Sequence, residues 1–136
     1  MERTLVLIKP DAVRADYWLE IIKIYEQHGL IIRKTKMFSP LPECAVKELY
    51  REHEGKDFYD GLVAFMQSGT TIALIIGDLN AVALVRAING ATKPENAVLG
   101  TIRFQYGTRG GGPKNAVHGS ASSADAEREI ALIFGE

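Results

Sequence analysis

Asn115-Ala-Val-His-Gly-Ser120 sets a histidine among small neighbours, with Ser120 two positions after His118 and Glu129 eleven after it. Imidazole is the side chain that can be both neutral and strongly nucleophilic near pH 7. Gly119 places no side chain beside it, which would let another molecule approach closely. A hydroxyl or carboxylate on one ring nitrogen would fix the tautomer and ring angle. Taken alone, however, the stretch reads as a histidine on a surface loop.

Other residues have similarly divided readings. Lys9 follows the apolar run Thr4-Leu-Val-Leu-Ile8 and precedes Pro10-Asp11, which forces a turn. By itself it is a solvated lysine at a strand end. Arg86 lies on an otherwise apolar helix, where it reads as the polar face, and Arg103 follows Gly100-Thr-Ile102. If the two arginines converge, they would grip a phosphate through charge-assisted hydrogen bonds. Phe58 and Tyr59 are either both core, or one core and one exposed. An exposed aromatic beside a phosphate site would stack on a nucleobase without choosing among bases. His53 reads as a surface histidine, since no second metal ligand is spaced to help it. Gly107-Thr-Arg-Gly-Gly-Gly-Pro113 invites a phosphate-loop reading and fails it. A Walker loop needs Lys directly after its last Gly and then Ser or Thr, whereas Pro113 precedes Lys114 and Asn115 follows. The segment reads as a flexible solvent loop.

Hydrophobic periodicity supplies the elements that must position these residues. Thr4 to Ile8 is a buried strand, and Trp18, Leu19, Ile21, Ile22 and Tyr25 recur at helical spacing before a stop at Gly29. A second strand covers Leu30–Ile32 and Lys34–Phe38. Ser39-Pro-Leu-Pro42 opens a helix carrying Ala45, Val46, Leu49 and Tyr50, and a further helical piece runs from Tyr59 to Met66. Thr70 to Ile76 is the clearest strand, followed by a helix from Ala81 to Ile88 capped by Asn80. Ala91 to about Lys114 is irregular, and a stretch that long inside a compact domain is usually functional. Ser123 to Arg128 is helical and Ile130 to Phe134 reads as a last strand. Four strands with helices on one face give an α+β, ferredoxin-like sandwich with a four-stranded antiparallel sheet, one domain over residues 1–136.

Composition narrows the function classes. The 136 residues are 46% apolar and 24% charged, with 16 Lys+Arg against 17 Asp+Glu and a formal net charge of -1. That is an ordinary soluble composition without the basic surplus of a nucleic-acid binder. Cys44 is the only cysteine, which excludes an internal disulfide and a cysteine-based zinc site and fits a reducing compartment. No signal-peptide pattern or membrane-length apolar run is present, so a cytoplasmic protein is expected.

Read in order, these residues resemble the nucleoside diphosphate kinase family. The resemblance rests on Glu2-Arg-Thr4, Ile8-Lys-Pro-Asp11, Glu20-Ile-Ile-Lys23, Tyr50, Phe58, Gly61-Leu-Val63 and Met66-Gln-Ser-Gly69. It continues through Gly90-Ala-Thr92, Pro94, Gly100-Thr-Ile-Arg103, Asn115-Ala-Val-His-Gly-Ser120 and Glu129-Ile130, and so covers nearly the whole chain. It implies the ferredoxin-like fold and a ping-pong transfer of the γ-phosphoryl group from a nucleoside triphosphate to a nucleoside diphosphate. His118 would be the nucleophile, Gly119 and Ser120 would shape its surroundings, and Glu129 would orient the ring. Lys9, Tyr50, Arg86, Thr92 and Arg103 match phosphate-site positions. Lys9 and Asn115 would bind the sugar hydroxyls, Phe58 would stack on the base, and His53 matches a phosphate-contacting histidine of some members. Mg2+ would arrive with the nucleotide, with no metal ligands of the protein's own. A homo-oligomer, tetramer or hexamer, is implied as well.

The chain departs from the family's pattern in several places. Ala121 replaces an Asp, Thr70 replaces a Pro, and Asp16-Tyr-Trp-Leu19 replaces a stretch that usually carries Gly. The segment between Arg103 and Asn115 is longer and richer in Gly, and no residue matches the apolar side chain that usually backs the base. Two alternatives compete with the enzyme. A non-catalytic nucleotide-binding module of the same fold would be expected to lack the nucleophile or its cations. A nucleic-acid-binding ferredoxin-like domain would need the basic surplus and aromatic strand motif that are missing.

Overall fold

The computed structural model describes residues 1–136. Its strands are β1 (Glu2–Ile8), β2 (Ile31–Phe38), β3 (Thr71–Asp78) and β4 (Val117–Gly119). They form one four-stranded sheet in the order β2-β3-β1-β4, and every pairing is antiparallel. The two central strands, β1 and β3, are the most apolar runs of the sequence and are buried along most of their length. This is the expected ferredoxin-like sheet.

The helices are α1 (Pro10–Arg14), α2 (Trp18–Gln27), α3 (Glu43–Leu49), α4 (Tyr59–Met66), α5 (Ala81–Asn89), α6 (Ile102–Tyr106) and α7 (Ser123–Phe134). Contrary to expectation, they cover both faces of the sheet. Leu5 and Leu7 of β1 pack with α3, α4 and α7, while Val6 and Ile8 pack with α1, α2, α5 and α6. Alternation of side chains along a strand makes this possible, because both parities of β1 are apolar and each demands a cover.

Five further expectations change. Ile130–Phe134 is the end of α7 rather than a strand. A short apolar run does not distinguish the two periods, but Ala126, Glu129, Ile130 and Ile133 are buried at helical spacing. Ser122 caps that helix by accepting the Asp125 N–H, and Gly135 closes it in the left-handed conformation. The fourth strand is instead Val117–Gly119, three residues defined by pairing with β1 rather than by any pattern of their own. Pro10 opens the short helix α1 rather than a simple turn. The supposedly irregular segment holds a 3-10 turn at Pro94–Asn96 and α6, capped by Thr101. Asn80 precedes α5 without a side-chain capping bond.

Asp16, in the stretch that usually carries Gly, has φ 62°. Asp tolerates this left-handed region better than most residues. The aromatic that follows it, Tyr17, packs on Tyr106 of α6 with ring centroids 4.8 Å apart. The segment thus ties the start of α2 to α6.

Candidate active site

Pairing of His118 with Leu7 puts the imidazole on the sheet face covered by α3, α4 and α7. Its side chain is 17% exposed, and Nε2 lies 3.0 Å from Glu129 Oε1 on α7. Glu129 is buried. Burial alone would raise its carboxyl pKa, but the hydrogen bonds and charge of His118, together with Ser120 and Arg128, outweigh this and hold it below the ordinary range. An ionised Glu129 only accepts, so His118 donates Nε2–H, and in the neutral ring the lone pair then lies on Nδ1. The Ser120 hydroxyl donates to the same Oε1 at 2.7 Å and accepts the Leu5 N–H at 3.3 Å. Tyr50 meets the imidazole edge-on, with ring centroids 5.9 Å apart. The surface-loop reading of His118 is therefore wrong.

Gly119 faces the other way. A Cβ there would sit 2.8 Å from Asn89 Nδ2 and 3.3 Å from Val85 Cγ1, so the missing side chain first serves the approach of α5 to β4. Asn89 is buried and held by the Tyr25 hydroxyl, which donates to its Oδ1 at 2.5 Å.

Lys9 is not a solvated strand end. It is 6% exposed, with Nζ donating to Asn115 Oδ1 at 2.9 Å and to the Pro113 carbonyl at 3.4 Å. Burial, and then repulsion from Arg103, lower its pKa to about 8, against partial compensation by Asp11. Asn115 also donates from Nδ2 to the Thr92 carbonyl at 2.8 Å. Arg103 donates to the carbonyls of Gly90 and Val117, both at 2.8 Å, and so joins the end of α5 to β4. A guanidinium has five N–H donors, so these bonds leave others for a ligand. Arg86 is exposed on α5 near enough to Arg103 to help depress the latter's pKa, after burial and against Tyr25.

Phe58 is 52% exposed while Tyr59 is buried, so the pair divides between surface and core. His53 lies between Tyr50 and Phe58, with centroids 6.3 Å from the first and 5.1 Å from the second. The three rings make an aromatic rim running from His118 outward. The Gly107–Pro113 segment is tied down rather than free: Thr108 N–H donates to the Lys114 carbonyl at 2.8 Å, and Gly110 N–H donates to Glu95 Oε1 at 3.3 Å. It lines the mouth of the site. Ala121 is exposed between β4 and α7, outside the cleft lining.

These parts enclose one cleft of about 1100 Å³. Lys9, Tyr50, His53, Phe58, Arg86, Thr92, Arg103, Asn115, His118 and Gly119 all line it, and Glu129 and Ser120 stand behind the histidine. The only carboxylate in the lining is Glu95, and no three His, Cys, Asp or Glu side chains gather anywhere to hold a metal. Sequence reasoning passed over Asn89 and Asp11, because Asn-Gly after a helix reads as a stop signal and Pro-Asp as a turn.

The family model described as nucleoside diphosphate kinase matches residues 2–136. The nucleoside diphosphate kinase of Caldanaerobacter subterraneus subsp. tengcongensis is 46% identical over 136 residues, covering 100% of this chain and 96% of that protein. That of Thermus thermophilus is 43% identical over 134 residues, covering 98% and 96%. Among solved structures, the Encephalitozoon cuniculi nucleoside diphosphate kinase superposes with a TM-score of 0.95 at 34% identity, covering 100% of this chain and 90% of that one. The Aquifex aeolicus enzyme gives 0.92 at 38% identity, covering 98% and 94%. Agreement of sequence and backbone over essentially the full length places the chain in the nucleoside diphosphate kinase family.

Proposed function

We propose that this chain, as a single domain over residues 1–136, is a nucleoside diphosphate kinase working through phosphohistidine at His118. The observation that carries the mechanism is the commitment of Nε2 to an ionised Glu129, which leaves Nδ1 as the nucleophile at a cleft lined by Lys9, Arg86 and Arg103. In the first half-reaction the Nδ1 lone pair attacks the γ-phosphorus of a nucleoside triphosphate, typically ATP. The P–N bond forms, the bond to the β–γ bridging oxygen breaks, and the diphosphate leaves with that electron pair. In the second, a terminal β-phosphate oxygen of another nucleoside diphosphate attacks the same phosphorus and the P–N bond breaks. Such a transition state asks mainly for positioning and charge neutralisation.

Lys9, Arg86 and Arg103 supply positive charge, while Thr92, Tyr50 and His53 flank the phosphates. Lys9 and Asn115 bind the sugar hydroxyls and Phe58 stacks on the base. Stacking reads no base edges, so nucleotide specificity is broad. Glu129 and Ser120 orient the ring from behind, and Gly119 keeps β4 against α5. Mg2+ fits this reading as part of the substrate, held by phosphate oxygens and water, because the cleft presents cations rather than carboxylates. A cytoplasmic homo-oligomer, tetramer or hexamer, completes the reading. It fits the single, exposed Cys44 thiol and the apolar Ile31 and Met37 left exposed on edge strand β2. No helix is long and apolar enough to cross a membrane.

Incubation with γ-labelled ATP and magnesium tests the reading. The wild type should take up an acid-labile, alkali-stable label that is released by any nucleoside diphosphate, and His118→Ala should take up none. A wild type without label would point to the non-catalytic module instead.

A further inference from the structure

Ala116 is an alanine in a conformation that suits glycine. Its φ is 74°, and the Val117 N–H donates to the Asn115 carbonyl across it at 2.9 Å. An i to i+2 bond closed over a residue of positive φ is the rare, strained form of the γ-turn. The left-handed region is unfavourable for an L-residue other than glycine. Ala116 is also fully buried in the core beneath α1 and α2, so its methyl fills space. The turn has an evident use. It reverses the chain between Asn115, whose side chain reaches Lys9 and the Thr92 carbonyl, and β4, which carries His118.

The residue is gripped on both sides by one short stretch at the exit of β1. Its N–H donates to Asp11 Oδ2 at 3.1 Å, and its carbonyl accepts the Lys9 N–H at 2.8 Å. Asp11 itself is largely withdrawn from water. Burial pushes its carboxyl pKa up, against the pull of the Ala116 N–H, then Lys9, then the backbone N–H groups of Asp11 and Ala12. Its other oxygen, Oδ1, is buried with no partner. A carboxylate held at that cost, with one long-range hydrogen bond directed at a strained peptide, is placed for that peptide.

We propose that Asp11 is a positioning residue for phosphoryl transfer, locking the Ala116 turn so that Asn115 and His118 enter the cleft together. This rests on the kinase reading of His118. A purely structural role, as an acid in the first turn of α1, would affect stability alone.

The two roles separate in single-turnover labelling of His118 at saturating γ-labelled ATP and magnesium, with thermal unfolding followed in parallel. Asp11→Ala should slow labelling about tenfold or more, the loss of one charge-assisted hydrogen bond. Asp11→Asn, which keeps an acceptor oxygen, should label close to the wild-type rate. Ala116→Gly in the Asp11→Ala background should recover most of the lost rate, because glycine occupies the turn without strain. Exchange of the Ala116 amide proton should be slow in the wild type and fast in Asp11→Ala. The proposal is overturned if Asp11→Ala labels like the wild type, or if glycine at 116 leaves the defect in place. Should Asp11→Ala fail to fold, Ala116→Gly must restore folding, and failure to do so also overturns it. A wild type that takes no label would instead remove the kinase reading itself.

Discussion

His118 turns Nε2, not Nδ1, toward Glu129, with 3.0 Å between Nε2 and Oε1. In the proposed reaction this bond would select the tautomer and thereby the attacking nitrogen. The phosphoenzyme should carry its phosphate on Nδ1, which heteronuclear NMR of the labelled protein distinguishes from the Nε2 isomer. Glu129→Gln should leave the fold intact and slow phosphorylation about ten- to hundredfold, the worth of a hydrogen bond to a charged group. Phosphate found on Nε2 would show that the ring rotates away from Glu129 before reacting.

Lys9 predicts a pH dependence of stability. Its folded pKa of about 8 lies below the ordinary 10.5. Between those values the unfolded chain binds a proton that the folded protein has released, so the contribution of Lys9 rises with pH. Below pH 8 both states are charged and the full cost of the buried ammonium is present, roughly 3 kcal/mol at one pKa unit per 1.36 kcal/mol. Urea unfolding of ligand-free protein from pH 7 to 10 should show the wild type gaining on Lys9→Met as pH rises. A constant difference would mean that Lys9 is solvated.

Gly119→Ala tests the packing of β4 on α5. The new methyl would lie 2.8 Å from Asn89 Nδ2, and Asn89 is held in place by Tyr25. Overpacking of this kind costs about 1–3 kcal/mol. Activity should fall along with stability, because His118 is the adjoining residue. Asn89→Ala in the same chain should return part of both, measured by thermal unfolding and steady-state rate.

Phe58 stands at the rim with half its surface exposed. Loss of base stacking costs about 1–3 kcal/mol, so Phe58→Ala should raise KM about tenfold with kcat little changed, as expected for binding equal in ground and transition states. Purine and pyrimidine nucleotides should suffer alike. A loss confined to one class would reveal base-edge recognition elsewhere in the cleft.

The sequence was informative where a property belongs to one residue or one period, and silent where it belongs to a meeting of distant segments. The core strands announce themselves through continuous apolar character in Thr4–Ile8 and Thr70–Ile76, within or overlapping β1 and β3. β4 does not, because three residues carry no period and become a strand only through their pairing with Val6–Ile8. The end of α7 is ambiguous in sequence because its short apolar run satisfies both periods until burial identifies the helix. Lys9 illustrates the same limit at the site. Its chemical type was plain, but its burial depends on Asn115 and Pro113, more than a hundred residues away. Gly119 lines the cleft, but nothing in the sequence shows that Asn89 and Val85 use the space of its missing side chain.

The opposition of Leu7 and His118 across β1 and β4 has a consequence for changes of chain length. Insertion or deletion of one residue between Asn115 and Ser120 would exchange inward for outward along β4. The imidazole would then face Val85 and Asn89, with Glu129 left buried behind it. The Gly107–Pro113 turn is different, because the bond from Thr108 to Lys114 closes its base, and a longer tip would give up only exposed bonds such as that from Gly110 to Glu95. Two segments a few residues apart thus obey opposite rules. One is a reading frame in which every position counts, and the other is a splice point where a peptide tag can be inserted at the mouth of the cleft.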